Sequence, residues 1–456
     1  MFWIQIKNNF APTKSYINYK LTIMFTKRNV FLTFAGIGLM VSSGKMKAQE
    51  IVEAPIDTLA RSVQVLQDEM KVLKRLKITG YIQPQWQYID SAGAPSFAGG
   101  DFANGSSKYY SRFTMRRGRF KFTYNYENVE FMLNTDATEK GLAMRESYAK
   151  IYDPWGKGFS LTAGLLQVQF GFEVTQSSSV RETPERARYN QTLFSTERDL
   201  GLFGTYQAPK ASKLAGLKID IAVMNGVAGV NPEFDSHKDF TGRLQYSKTL
   251  KNEKFTWAIG ASGYYGGYRL GNVKDYNFAT LDNGNKGFKF ALDTNDYTRI
   301  GERRYVGADA QASLDWPAGI TTLRAEYITG EQPGVSANSL SPRTAPTASI
   351  YHRTFNGAYF YFIQNIGTSR FQAVVKYDWY DPNVKIQGMD IGKAGTNTNL
   401  GDVRFDTWGF GLTFRINANA KIVAYYDLVK NESTMVKGYT QDIKDNVLTI
   451  RTQIKF

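Results

Sequence analysis

Along residues 78–88 apolar and polar side chains alternate: Ile78, Gly80, Ile82, Pro84, Trp86 and Tyr88 share one face, and Thr79, Tyr81, Gln83, Gln85 and Gln87 the other. A period of two is the signature of a β-strand. Three glutamines on one face point to a wet interior, because a buried amide without partners is costly. The same alternation predicts strands near 77–90, 111–126, 128–136, 143–153, 159–170, 199–208, 217–226, 239–249, 254–265, 303–316, 319–330, 352–364, 369–380, 403–416, 419–430 and 446–456. That is sixteen, an even number, with lengths around the roughly 9–11 residues a tilted strand needs to cross the hydrocarbon layer. Short connections such as Glu127-Asn128 and Asn417-Ala418-Asn419 interleave with long ones at 91–110, 171–198, 266–302 and 331–351. Short turns on one side and long loops on the other are expected when one rim meets periplasm and the other the outside. The pattern therefore predicts an all-β fold, a 16-stranded antiparallel transmembrane β-barrel over 77–456.

Ahead of the first strand the period differs. Ile56, Leu59, Val63, Leu66, Met70 and Leu73 recur at spacings of three and four, with Arg61, Gln64, Gln67, Asp68, Lys71, Lys74 and Arg75 on the remaining faces. This is a narrow heptad seam. It predicts a short periplasmic coiled-coil helix within 49–76, buried either on its own barrel or against copies of itself, and with it a homotrimer. Further upstream, Lys27 and Arg28 precede an apolar run from Val30 to Val41 and then small or polar residues to Ala48. That is the layout of a secretory signal, with cleavage expected after Ala48 and residues 1–23 as an upstream extension.

Composition sharpens this picture. Only 42% of the chain is hydrophobic and its mean hydropathy is −0.37, which argues against a helical membrane protein. The 28 Tyr, 30 Phe and 7 Trp supply rings for the two membrane interfaces. With no cysteine there is no disulfide framework, thiolate metal site or cysteine nucleophile. The two histidines, His237 and His352, fall in polar contexts, and no Gly-x-Ser-x-Gly elbow occurs, so neither an enzyme, a cofactor nor a metal centre is expected. Seven lysines and arginines and no acid fall within the first 48 residues, so the formal charge of +15 becomes +8 for the rest. The basic clusters lie on membrane strands of an exported chain, which excludes nucleic acid as the partner.

The last strand places Leu448, Ile450, Thr452, Ile454 and Phe456 on one face and Arg451, Gln453 and Lys455 on the other. An alternating strand ending on an aromatic residue resembles the signal read by the outer-membrane barrel assembly machinery. The expected location is the outer membrane of a double-membraned bacterium, embedded in its lipid.

A barrel of this size is wide enough for an aqueous channel, and its selectivity should lie in lumen-facing charges and in whatever narrows it. Arg112, Arg116, Arg117, Arg119 and Lys121 crowd the second strand, where Arg119 and Lys121 alternate with Phe120 and Phe122 and so should face the channel. Gly118 sits where the alternation shifts phase, as at a β-bulge. A second cluster, Arg181, Arg186, Arg188 and Arg198, lies in the 171–198 loop among Glu173, Glu182, Glu185 and Glu197, and this loop is long enough to fold inward. Ranked guanidiniums favour oxyanions, since the fork pairs two oxygens and a narrow, low-dielectric pore strengthens the attraction. The alternative is that these bases merely balance acids.

Several pieces of 78–456 together resemble the phosphate-selective porins of the O and P type: Gly80-Tyr81-Ile82-Gln83, Arg116-Arg117-Gly118-Arg119, Gly164 through Phe170-Gly171-Phe172-Glu173, Arg198-Asp199-Leu200-Gly201, Asn225-Gly226, Lys376-Tyr377-Asp378, Asp381-Pro382 and Arg451 to Phe456. The resemblance implies a trimeric porin whose inward loop and arginine-lined wall conduct phosphate or related small anions. Where that family tends to carry Lys and Pro ahead of Phe-Gly, this chain has Gln167 and Gln169. A structural or surface-binding barrel with an incidental pore is the competing reading.

Overall fold

The computed structural model describes residues 62–64, 66–67, 70, 74–250, 253–291 and 298–456. The signal segment 1–48 and most of the helix expected in 49–76 lie outside the described residues. The compact unit Asp68–Phe456 contains the whole barrel.

Sixteen strands close into one antiparallel ring: β1 (Leu76–Ile89), β2 (Ser111–Tyr126), β3 (Val129–Thr138), β4 (Gly141–Tyr152), β5 (Phe159–Gln167), β6 (Arg198–Gln207), β7 (Leu217–Met224), β8 (Asp239–Thr249), β9 (Phe255–Arg269), β10 (Ile300–Trp316), β11 (Gly319–Gly334), β12 (Ile350–Asn365), β13 (Phe371–Asp381), β14 (Phe405–Arg415), β15 (Ala420–Asn431) and β16 (Val447–Lys455). Each pairs with its neighbours in sequence, and β1 pairs with both β2 and β16. Closure leaves no edge strand, which a hydrocarbon surround requires because it offers no water to unpaired amides.

The seam is made by the ends of the chain. The Gly80 amide donates to the Phe456 carbonyl at 3.1 Å and the Phe456 amide donates back to Gly80 at 3.0 Å. A side chain at Gly80 would collide with the Phe456 ring, which packs at 5.7 Å from Phe120 on the outer wall. The absent Cβ therefore makes the berth for the terminal aromatic.

Alternation sets the two faces. On β16 Val447, Thr449, Arg451 and Gln453 are buried toward the lumen, while Ile454 is exposed on the outer wall. On β1 the inward amides are partnered: Gln83 donates to Gln453 Oε1 at 2.7 Å and accepts from Arg117 at 3.0 Å, and Gln85 accepts from Arg451 Nε at 2.9 Å. Outward residues such as Phe113, Leu161, Ile221, Val306 and Leu323 form an apolar band fit for lipid.

Turns of the periplasmic rim are short and most opposite connections long, but Glu139-Lys140 joins β3 to β4 at the outer rim in two residues. Two features outside the barrel were not expected. A hairpin, Asp275–Thr280 with Lys286–Ala291, runs out of the β9–β10 loop, and its first arm pairs in parallel with the start of β12. A second, two-residue hairpin (Ala103–Asn104 with Ser107–Lys108) folds within the β1–β2 loop.

Candidate functional site

The loop from 168 to 197 turns inward and carries a short helix, α1 (Arg188–Leu193). Its apolar side explains why. Phe170, Val174, Ala187, Tyr189, Leu193 and Phe194 are buried in one cluster with the wall residues Tyr264, Tyr305, Phe355 and Tyr359. Phe194 lies edge-on to Tyr305 at 6.1 Å and Tyr189 stacks parallel to Tyr359 at 6.3 Å. Such aromatic burial is the main cohesive force available inside a wet lumen.

Polar contacts fix its height. Gly171, at φ +58°, donates its amide to Ser262 at 3.0 Å, and the amides of Phe172 and Glu173 both donate to Glu326 Oε2, at 2.9 and 3.1 Å. A side chain on Gly171 would enter the Glu326 carboxylate, so both the left-handed conformation and the space demand glycine. Glu173 accepts from Tyr361 at 2.7 Å, Asn190 at 2.6 Å and the Ala187 amide at 2.9 Å.

On its other side the loop meets basic strands. Glu185 accepts from Arg116 (2.8 and 2.9 Å), Arg117 (3.1 Å) and Arg451 (2.9 Å). Three guanidiniums thus surround one carboxylate. Burial pushes the Glu185 carboxyl up, but Arg116, Arg117 and Arg451 outweigh it and hold it well below the usual carboxylate range.

The sequence-predicted residues divide by how fully they are engaged. Arg117 also holds Gln83, and Arg116 remains 31% exposed. Arg119 pairs with Asp136 at 3.5 Å, while Lys121 faces the same lumen with no ion pair among the described residues. Arg181 donates to the carbonyls of Thr183 and Pro184, at 3.3 and 3.0 Å. Arg186 knits the loop by donating to the carbonyls of Glu173, Val174 and Gln176, and pairs with Glu197. Arg188 stands apart, stacked between the rings of Phe97 and Phe405 at 4.3 and 3.9 Å.

Two expectations need correction. Arg198 belongs to β6 rather than to the loop, because its backbone pairs with Gln167 on β5; its side chain bridges Glu146 at 3.1 Å and Glu197 at 2.8 Å. The bulge on β2 lies at Arg116 and not at Gly118: Gln83 faces Arg117 while Pro84 faces Met115, leaving Arg116 as the extra residue. The bulge is what lets two consecutive arginines reach one carboxylate. Gly118 instead gives its amide to Asp136 at 2.9 Å. Gln167 and Gln169 hold loop carbonyls, those of Val174 and Gln167 respectively.

In the periplasmic half of the lumen, the expected channel residues Arg119, Lys121, Arg198 and Lys455 meet three bases that sequence alone did not single out, Arg370, Arg415 and Lys421. A cavity of about 600 Å³ is lined by Arg119, Lys121, Arg198 and Lys455. It adjoins one of about 440 Å³ lined by Arg370, Arg415, Lys421 and Lys455. The two share Ser179, Asn419 and Lys455. The acidic side chain in their lining is Glu146, already engaged by Arg198.

A closed sixteen-stranded barrel with an apolar outer band, a polar lumen and an inward loop is a porin-type transmembrane barrel, and its place is the outer membrane of a Gram-negative bacterium. No protein-family model matches the sequence, and no characterised protein matches it at the level of sequence. Among solved structures, the chain is similar to the outer-membrane channel DcaP of Acinetobacter baumannii, with a TM-score of 0.53 and 12% identity over 84% of this chain and 97% of that one. It is also similar to Salmonella typhi OmpF in complex with daunomycin, at a TM-score of 0.50 and 12% identity over 84% of this chain and 97% of that one. At such identities the likeness is one of fold.

Proposed function

We propose that this barrel is a passive aqueous porin with a preference for small anions, phosphate and related oxyanions among them. The observation that carries this reading is the basic periplasmic lumen, where Lys121, Arg370, Arg415, Lys421 and Lys455 line two adjoining cavities whose acidic side chain, Glu146, is already held by Arg198. Unbalanced positive charge in a low-dielectric channel raises the local concentration of anions and repels cations. The cluster around Glu185 acts in the same direction, since one carboxylate meets three guanidiniums. Lysine supplies the point charge and arginine the fork, a combination suited to oxyanions. Uncharged Gln167 and Gln169 beside the loop favour anions as a class over phosphate alone. A homotrimer assisted by the 49–76 helix belongs to the same proposal.

The test is competition at a single channel. Phosphate added to a chloride solution should lower the chloride current in a concentration-dependent way. A chloride current indifferent to phosphate, in a channel that conducts potassium as readily as chloride, would contradict the proposal.

A further inference from the structure

At the extracellular ends of β13 to β16, the inward loop meets the loops at 90–110, 335–349, 382–404 and 432–446 around a cavity of about 160 Å³. Arg188 and Asp445 both line it. Each is nearly fully buried, at 6% and 3% exposure. Arg188 Nε and Asp445 Oδ1 have no hydrogen-bond partner, and the two side chains do not come within ion-pair distance of each other or of any other charged group among the described residues. Of the neighbouring acids, Asp378 is engaged by Lys376 at 2.8 Å, and Asp427 shares with Arg188 and Asp445 a smaller, water-sized space on the inner side, too small for anything but water.

Buried charges left unpaired are strongly unfavourable, so two of opposite sign in one cavity describe the charges of whatever completes it. The way Arg188 is held is informative. Phe97 and Phe405 cover the two faces of the guanidinium, leaving its in-plane N–H groups as the route of approach, which is the geometry a carboxylate takes on an arginine fork. Most of the remaining wall is apolar or aromatic, with Tyr380, Pro382, Leu400, Val403 and Tyr439 on it, and Thr192, Asn338 and Ser339 are its uncharged polar members.

We propose that this extracellular cavity binds a zwitterionic α-amino acid with an apolar side chain: its carboxylate on Arg188, its ammonium on Asp445, and its side chain against the Tyr380, Leu400 and Tyr439 walls. An apolar carboxylate would satisfy Arg188 but set a second negative charge beside Asp445. An apolar amine would leave Arg188 unpaired. The site therefore discriminates by requiring both charges, since a group left buried and unsatisfied penalises the analogue that lacks its partner. It lies on the extracellular side of the inward loop and is independent of the anion preference of the periplasmic lumen.

The experiment uses the full-length channel in planar bilayers, with L-phenylalanine, 3-phenylpropionate and phenethylamine added in turn to the extracellular side, together with equilibrium dialysis of each against detergent-solubilised protein. Phenylalanine should bind and interrupt the current at a concentration at least about tenfold below either analogue, as expected for the loss of one charge-assisted hydrogen bond. Arg188→Gln should bring phenylalanine to the level of phenethylamine, and Asp445→Asn to that of 3-phenylpropionate. Equal potency of 3-phenylpropionate and phenylalanine, or the absence of phenylalanine uptake by dialysis, would overturn the proposal. So would unchanged phenylalanine binding in either variant that still migrates as a folded barrel. The three-ligand comparison on the unmodified protein decides the matter even if a variant fails to fold. Reversal potentials from the same bilayers report anion preference separately.

Discussion

Arg116 grips Glu185 through two parallel hydrogen bonds of 2.8 and 2.9 Å, joining a bulge on β2 to the tip of the inward loop. Arg117 and Arg451 reach the same carboxylate, so this one loop residue ties together β2 and β16 across the barrel seam. The loop is held against the basic wall by this contact and against the aromatic wall by the Phe170 and Tyr189 packing.

Glu185→Gln should therefore loosen the loop. Three guanidiniums would lose their counter-charge, and removing one partner of a buried pair typically costs about 3–5 kcal/mol. The expected outcome is a lower heat-unfolding temperature on gel-mobility assays and noisier, larger single-channel currents. A variant with unchanged stability and current would show that the aromatic packing alone fixes the loop.

The pH dependence of this contact follows from its direction. Because the Glu185 carboxyl is held well below its ordinary value in the folded barrel, its contribution is present above the unfolded carboxyl value, about 4.3, and is lost only as pH falls through the lower folded value. Heat stability and loop-related current noise should consequently be the same at pH 5 as at pH 7. Loosening already at pH 5 would mean that the guanidiniums do not dominate burial at this site.

Closure of the barrel offers a separate test. Gly80→Val should push the Phe456 ring from its berth and crowd the Arg119 carbonyl. Overpacking of this kind costs about 1–3 kcal/mol. We expect a reduced folded fraction in the outer membrane. Normal assembly of Gly80→Val would refute the close packing of the seam.

Deleting residues 50–76 tests the upstream heptads. If the seam of Ile56, Leu59, Val63, Leu66, Met70 and Leu73 pairs with copies of itself, the deletion should lower the temperature at which oligomers dissociate while leaving monomer conductance intact. Oligomers of unchanged heat resistance would assign the helix no part in assembly.

The barrel was legible because alternation is a local property. The expected bounds of β2 and β8, 111–126 and 239–249, coincide with the observed strands, and Arg451 and Lys455 could be placed on the inner face of β16 from the residues flanking them. What alternation lacks is any record of which strands face each other across the lumen. Glu185 meets Arg116 and Arg451 over separations of 69 and 266 residues, and nothing near any of them marks the others as partners. For the same reason sequence does not show that Arg370, Arg415 and Lys421, which come from different segments, gather beside Lys455. The hairpin at 275–291 falls inside a long expected loop, because its arms of six residues are too short to cross a bilayer. Arg188 could be seen as a loop arginine, but its stacking on Phe97 and Phe405 depends on two further loops.

The charges of the periplasmic lumen can be titrated one at a time. Lys121→Gln and Lys455→Gln remove partly exposed positive charges, the first from the larger cavity and the second from the boundary of the two. A single charge acting on an ion at about 4 Å contributes roughly 1 kcal/mol in bulk water, equivalent to about fivefold in relative permeability. The double variant should lose most of its preference for chloride over potassium, with little change in heat stability. Retained preference would place the selective charges elsewhere along the wall.

The central claim is tested most directly by the reversal potential of the unmodified channel across a tenfold gradient of potassium chloride. An anion-preferring lumen predicts a reversal potential displaced toward the chloride equilibrium potential, with the displacement shrinking as total salt rises and screens the lumenal charges. A reversal potential at zero or displaced toward potassium would contradict it.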